Sequence, residues 1–183
     1  MAVRNKIITN PKTGQQIRFI KTAKSTSGEL LEMETVYAAK SAEPLPHYHP
    51  HQTEDFTVIS GELTVRINGR IRKLKEGERM HIPMNQEHAL WNSSENKTIV
   101  SWIVQPALNT EHLLETITGL AADGKTKASG IPNIWQFALT ARHFSEVLRF
   151  SKAPAFIQTL VFSLLSPIAY LLGYRPVYKK YLD

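Results

Sequence analysis

The sequence predicts an antiparallel β-sandwich or barrel followed by an α-helical extension. Three observations carry that expectation. Short segments rich in β-branched residues follow one another from Gln15 to Gln105, with turn residues at close intervals. Asn68-Gly69, the strongest short hairpin signal, joins two of them. After Pro106 the pattern changes to long runs with apolar residues on one helical side.

Taken in order, Gln15 to Thr22 and Leu30 to Ala39 read as strands on either side of a turn at Ser25 to Gly28. In the second, Leu31, Met33, Thr35 and Tyr37 share one face and Glu32 and Glu34 the other, the pattern of a strand with one side on a core. Further strands are expected at Phe56 to Ser60, Glu62 to Ile67, Arg70 to Leu74, Arg79 to Ile82, His88 to Asn92 and Thr98 to Gln105. The division expected is a β domain over residues 1–106 and a helical extension over 107–183. In that extension Asn109 is the expected cap of a helix from Thr110 to about Ala122. Pro132 suits the first turn of a second helix reaching Phe150, with Ile134, Phe137, Ala138, Ala141, Val147 and Leu148 on its apolar side. The last helix, Ala155 to Leu172, is apolar almost all round and ends at Gly173. Gln158, Thr159, Ser163, Ser166 and Pro167 interrupt it, so packing against the barrel or a second subunit is expected in preference to attachment to a membrane surface.

A chain of 183 residues suffices for one domain with a substantial core plus an appendage. It has no cysteine, which excludes disulfides, thiolate metal ligands and a cysteine nucleophile. Met1 to Gln16 is polar and carries no apolar run of the secretory type, so a cytoplasmic protein is expected. The formal charge is +6, and Arg66, Arg70, Arg72, Lys73, Lys75 and Arg79 concentrate on one hairpin. With no nucleic-acid motif or aromatic stacking series beside them, they read as outward-facing strand positions, and no nucleic-acid partner is expected.

The chemistry concentrates in Pro46 to Gly61. His47 and His49 leave the same face of an extended segment. Glu54 lies five residues beyond His49, but Pro50 and the polar residues His51 to Thr53 allow a turn that resets the parity, so two imidazoles and a carboxylate can converge. His88, on an apolar stretch after Pro83-Met84-Asn85, completes a set of three histidines and one carboxylate if its strand neighbours the first. Nitrogen and oxygen ligands of this kind suit a borderline divalent transition metal. His51, past the proline, is assigned to the rim, and His81, His112 and His143 belong to no converging set. Asn92 is expected to close a turn with its side chain.

These two segments resemble the two motifs of the cupin superfamily. His47, His49, Glu54 and Gly61 stand at the spacing of the first; Gly77, Pro83, His88 and Asn92 match the second in register. Ser41 replaces the glycine that begins the first motif and Asn85 the internal glycine of the second, where asparagine tolerates a left-handed turn. The resemblance covers roughly residues 28 to 105. It implies a jelly-roll barrel, the antiparallel double-stranded β-helix, with a mononuclear divalent metal (Fe, Mn, Ni, Cu or Zn) on His47, His49, Glu54 and His88. It also implies a homodimer. The activity implied is that of a dioxygenase-like oxidoreductase acting on a small organic molecule, similar to quercetin dioxygenase. An isomerase or decarboxylase using the metal as a Lewis acid, and a cupin that only binds its ligand, are the alternatives. Phe56, Val58 and Leu90, by their parity with the ligands, and Met33 and Tyr37 from the neighbouring strand are the candidate walls of the substrate cavity.

Overall fold

A computed structural model describes residues 2–182. In chain order its strands are β1 (Ile7–Thr9), β2 (Gln16–Lys21), β3 (Leu31–Tyr37), β4 (His47–Tyr48), β5 (Thr53–Ser60), β6 (Glu62–Ile67), β7 (Arg70–Lys75), β8 (Arg79–Ile82), β9 (His88–Trp91) and β10 (Thr98–Gln105). The helices α1 (Thr110–Ala122) and α2 (Ile134–His143) come next, then strand β11 (Arg149–Phe150) and helix α3 (Ala155–Leu171). The strands form two antiparallel sheets, ordered β1-β2-β3-β10-β5-β8 and β11-β4-β9-β6-β7, as a jelly-roll barrel requires.

The alternating side chains of both sheets fill the space between them. Tyr37, Phe56, Val58, Leu63, Val65, Leu74, Ile82, Leu90 and Val100 make one buried cluster. A second, of Ile17, Phe19, Leu31, Met33, Val104, Ala107 and Leu114, extends the core beneath α1. Gly61 turns β5 into β6 at φ 88°, where a side chain would be strained and a Cβ would lie 2.9 Å from the Lys97 carbonyl oxygen. The basic hairpin faces outward: Arg70, Arg72, Lys73 and Lys75 are exposed on β7, an edge strand. Lys73 pairs with Glu62, and Arg66 holds Glu43 through two nitrogens.

Expectations for the first two helices are corrected. Asn109 does not cap α1 with its side chain; its backbone is not in the extended cap conformation, and only its carbonyl serves the helix, accepting from the Leu113 N–H. The second helix ends at His143, not Phe150. Beyond Phe144 the chain turns, and Arg149 and Phe150 pair with Tyr48 and His47, because β4 offers an open edge. Asn133, not Pro132, starts that helix, its Oδ1 accepting from the N–H groups of Trp135 and Gln136. Helix α3 packs on α2 and reaches β11 of the five-stranded sheet through Gln158; Ser166 and Ala169 are also buried, and Phe156, Leu160, Leu164 and Leu171 are exposed. No helix among the described residues is long and apolar enough to cross a membrane. β1 lies in the polar start that showed no strand pattern; it pairs with β2 at the sheet edge and buries little.

Candidate metal centre

Both sheets contribute to the site. β4 and β9 are neighbours in the five-stranded sheet, and His47 lies directly opposite His88. His49 follows two residues on. Between His49 and Thr53 the chain crosses from the five-stranded to the six-stranded sheet, so Glu54 faces the histidines from across the barrel. That change of sheet, made at Pro50 and His51, is what lets a five-residue offset converge. The second motif's turn is fixed by Asn85, at φ 61°, whose N–H donates to the His49 carbonyl at 2.9 Å.

The three rings lie 4.5 to 5.3 Å apart between centroids, and a nitrogen of each lies within 4.8 Å of one on the others, close enough to share an ion. Their tautomers follow from their other nitrogens. Nδ1 of His47 is 2.9 Å from the Leu45 carbonyl oxygen, Nδ1 of His88 is 2.9 Å from that of Gln86, and Nδ1 of His49 is 2.5 Å from that of Val147. A carbonyl only accepts, so each Nδ1 carries the proton and each Nε2 presents a lone pair. Glu54 approaches the same point, with Oε1 at 3.3 Å from Nε2 of His49 and Oε2 at 2.9 Å from Nε2 of His88. Nε2 of His49 and His88 and Oε2 of Glu54 have no hydrogen-bond partner although all are buried. Lone pairs turned on one another in a buried space are satisfied by a proton or a metal ion between them, and donors of this type fit a divalent transition metal.

The electrostatics agree. Desolvation, reinforced by His88 and His49, pulls the His47 pKa down to about 3, keeping the imidazole neutral. Burial penalises the Glu54 carboxylate, but His49 and His88 override it and hold its pKa far below the ordinary range. Burial likewise opposes protonation of His49, and the Glu54 charge reverses the balance and raises its pKa. Burial and the same carboxylate push the Tyr37 phenol far up, so it stays neutral.

Several supporting groups were not legible in the sequence. The Trp102 indole donates to Glu54 Oε1 at 3.0 Å and stacks on Phe56. Gln52, fully buried, donates from Nε2 to the carbonyls of Pro106 and Ala107 and to Thr110 Oγ1, tying the corner after His49 to the start of α1. Val147 anchors His49 from the C-terminal extension. Only the inward parity of Trp102 with Val100 and Val104 signalled any of this. Asn92 does close its turn, donating to the Ala38 and Asn96 carbonyls and accepting from Ser94. Ser41 has a use too, its Oγ accepting the Asn92 N–H at 2.9 Å.

The other candidates are divided between the core and the surface. Tyr37, Phe56, Val58 and Leu90 are packed in the inter-sheet cluster, and Met33 lies in the second cluster beneath α1. His51 is exposed and pairs with Glu146 at 2.8 Å. His81 contacts Asp55 at 2.9 Å, and His143 packs edge-on to Phe144.

Comparison with known proteins agrees with this geometry. Residues 33–104 match the family described as Cupin domain. Over 78 residues, 42% of this chain and 23% of the other, the sequence is 30% identical to quercetin 2,3-dioxygenase of Bacillus subtilis (strain 168). Over 57 residues, 31% of this chain and 47% of the other, it is 35% identical to an uncharacterized protein of Aquifex aeolicus (strain VF5). The chain thus spans less than half the length of these curated relatives. A structure described as a predicted oxalate decarboxylase from Thermotoga maritima shares the fold, with a TM-score of 0.50 and 16% identity, over 58% of this chain and 99% of that one.

Proposed function

Taking as premise that residues 33–104 are a cupin domain, we propose that the chain is a metal-dependent oxidoreductase of the dioxygenase type acting on a small organic molecule. The proposed ligands are His47, His49, His88 and Glu54. The observation that carries this reading is that three Nδ1–H groups are each committed to a backbone carbonyl, which aims three Nε2 lone pairs and the Glu54 carboxylate at one point. The 30% identity to quercetin 2,3-dioxygenase supports the oxidoreductase class.

A divalent ion held there supplies Lewis acidity and, for iron, manganese, nickel or copper, electron transfer with dioxygen. The chain supplies the rest. The three carbonyls fix the rings so that ligand geometry is set before binding. Glu54 brings one negative charge, which leaves the site net positive with a divalent ion and favours an enolate or carboxylate substrate. Trp102 holds the carboxylate in place, and the buried barrel wall of Phe56, Val58 and Leu90 excludes water.

The test is elemental analysis of protein purified without added metal, followed by oxygen-uptake measurements with flavonols, thiols and enolisable diketones. About one transition-metal ion per chain and oxygen uptake with one class are expected. The combined His47→Ala and His88→Ala variant should keep its β-sheet circular dichroism and lose the metal. Full metal occupancy in that variant would refute the ligand assignment, whereas a loaded wild type that consumes no oxygen would favour an isomerase, a decarboxylase or a ligand-binding role.

A further inference from the structure

A cavity of about 210 Å³ lies between the barrel mouth and the extension, walled by Leu45, Pro46, Phe137, Phe150 and Phe162, with Lys152 also lining it. Its walls are almost wholly apolar. The Phe150 ring stacks on Phe137 at 5.0 Å, and Phe162 meets Phe137 edge-on at 5.9 Å.

The register locates this cavity relative to the histidines. Phe150 lies opposite His47, and His47 opposite His88, so the three side chains emerge on the same face of the sheet. Leu45 and Lys152, just outside the two strands, also line the cavity. The strands are antiparallel, and the Ser151 N–H donates to the Pro46 carbonyl, so Lys152 stands beside Leu45. One side of the cavity adjoins His47, since Leu45, whose carbonyl accepts from His47 Nδ1, and Phe150, which pairs with His47, both line it. The other is an exposed ammonium that makes no ion pair among the described residues.

We propose that this cavity is the binding site for the apolar ring of an anionic ligand, an aryl or cycloalkyl carboxylate, whose charge pairs with Lys152 and whose far edge points toward His47. Which end reacts rests on the metal centre proposed above; the site itself does not. A cavity of roughly 150 Å³ takes benzene, so this volume accommodates a ring with a short substituent. Three aromatic walls select an apolar body over a sugar or a nucleotide. The unpaired cation selects a negative charge at the outer end. The arrangement also accounts for the buried Gln158 of α3, whose Nε2 donates to the Phe150 and Ala153 carbonyls and whose Oε1 accepts the Phe150 N–H. These three bonds hold the cavity wall on β11 in place.

The test uses full-length protein as purified, with metal content measured on every sample, and titrates benzoate, acetate and benzyl alcohol by calorimetry. Benzoate should bind at least about tenfold more tightly than acetate, because only its ring fills the apolar volume. Ala153→Trp, which places a large side chain at the cavity wall, should abolish that preference while leaving the metal content and thermal midpoint unchanged. Lys152→Gln should weaken benzoate several-fold and leave benzyl alcohol unaffected. Should Ala153→Trp fail to fold, Leu45→Ala serves instead: enlarging the cavity should shift the preference from benzoate to 2-naphthoate. The proposal is overturned if benzoate binds no better than acetate, if the filled or enlarged cavity binds as wild type does, or if Lys152→Gln has no effect on benzoate. One metal per chain without a benzoate preference would sink the cavity alone, and a benzoate preference in protein that retains no metal would sink the metal centre alone.

Discussion

Trp102 shows how much a single side chain outside the motifs contributes. Its indole N–H fixes the oxygen of Glu54 that faces His49, and outer partners of this kind commonly tune metal affinity by 10- to 100-fold. Trp102→Phe keeps the stacking on Phe56 and removes only the donor. A loss of roughly tenfold or more in metal affinity is expected, measured by chelator competition, with an unchanged near-native fold by circular dichroism. His47 supplies a second prediction. Its folded pKa of about 3 lies below the unfolded value near 6.5, so the unfolded chain binds more protons as pH falls. The stability it contributes to the metal-free protein is present above pH 6.5 and is lost as pH falls toward 3. His49, whose pKa is raised, contributes in the opposite sense, with stability present below the unfolded value and lost as pH rises. Comparison with His47→Ala isolates the first effect: the difference in urea midpoint between the two metal-free proteins should narrow between pH 7 and pH 5. A constant difference would place the His47 titration outside that window.

At the scale of elements, β11 is the piece that joins the extension to the site. It is two residues long and stands on pairing with β4 and on Gln158 behind it. Gln158→Leu keeps the volume and leaves two partly buried backbone carbonyls and one N–H without their side-chain partner. A cost of about 1–3 kcal/mol is expected from such unpaired groups, read as a lowered thermal midpoint. Metal affinity should fall with it, since the Val147 carbonyl that orients His49 precedes β11 by two residues. Retention of wild-type metal affinity would show that the extension is coupled to the barrel only mechanically. For α2, Asn133→Ala removes a side-chain acceptor for two N–H groups and should cost about 1 kcal/mol.

For the molecule as a whole, the outer face of α3 governs association in solution. No residue of Ala155–Leu171 is charged, and Phe156, Leu164 and Leu171 are 72%, 67% and 88% exposed. Apolar surface of that extent is uncommon on a free monomer, and we propose that a second copy of the chain covers it. Leu164→Asp should then leave the unfolding midpoint of the monomer nearly unchanged and shift the mass measured by light scattering from dimer to monomer. Ala169→Asp, at a position with no exposure, should instead destabilise the fold by several kcal/mol. A wild-type monomer at micromolar concentration, or binding of the chain to anionic vesicles that weakens with salt, would overturn the dimer.

The sequence by itself determined the barrel strands and the clustering of His47, His49 and His88, because both are written in local rules. Alternation at period two marks a strand with one buried face whatever it packs on, and Asn68-Gly69 marks its hairpin without reference to the rest of the chain. Two histidines on one strand face and a third at fixed spacing from Pro83 carry the site in the same way. Only the tertiary structure decided the rest. That Glu54 faces His49 depends on the chain changing sheets at Pro50, and that Arg149–Phe150 is a strand depends on the open edge of β4, which lies a hundred residues away in sequence. Read locally, Ile134 to Phe150 has the apolar period of one helix, and the pairing available to its last residues overrode that period. Trp102, Gln52 and Val147 acquire their partners by the same long-range closure: a hydrogen bond between residues 48 to 98 positions apart leaves no periodic trace in the sequence of either partner.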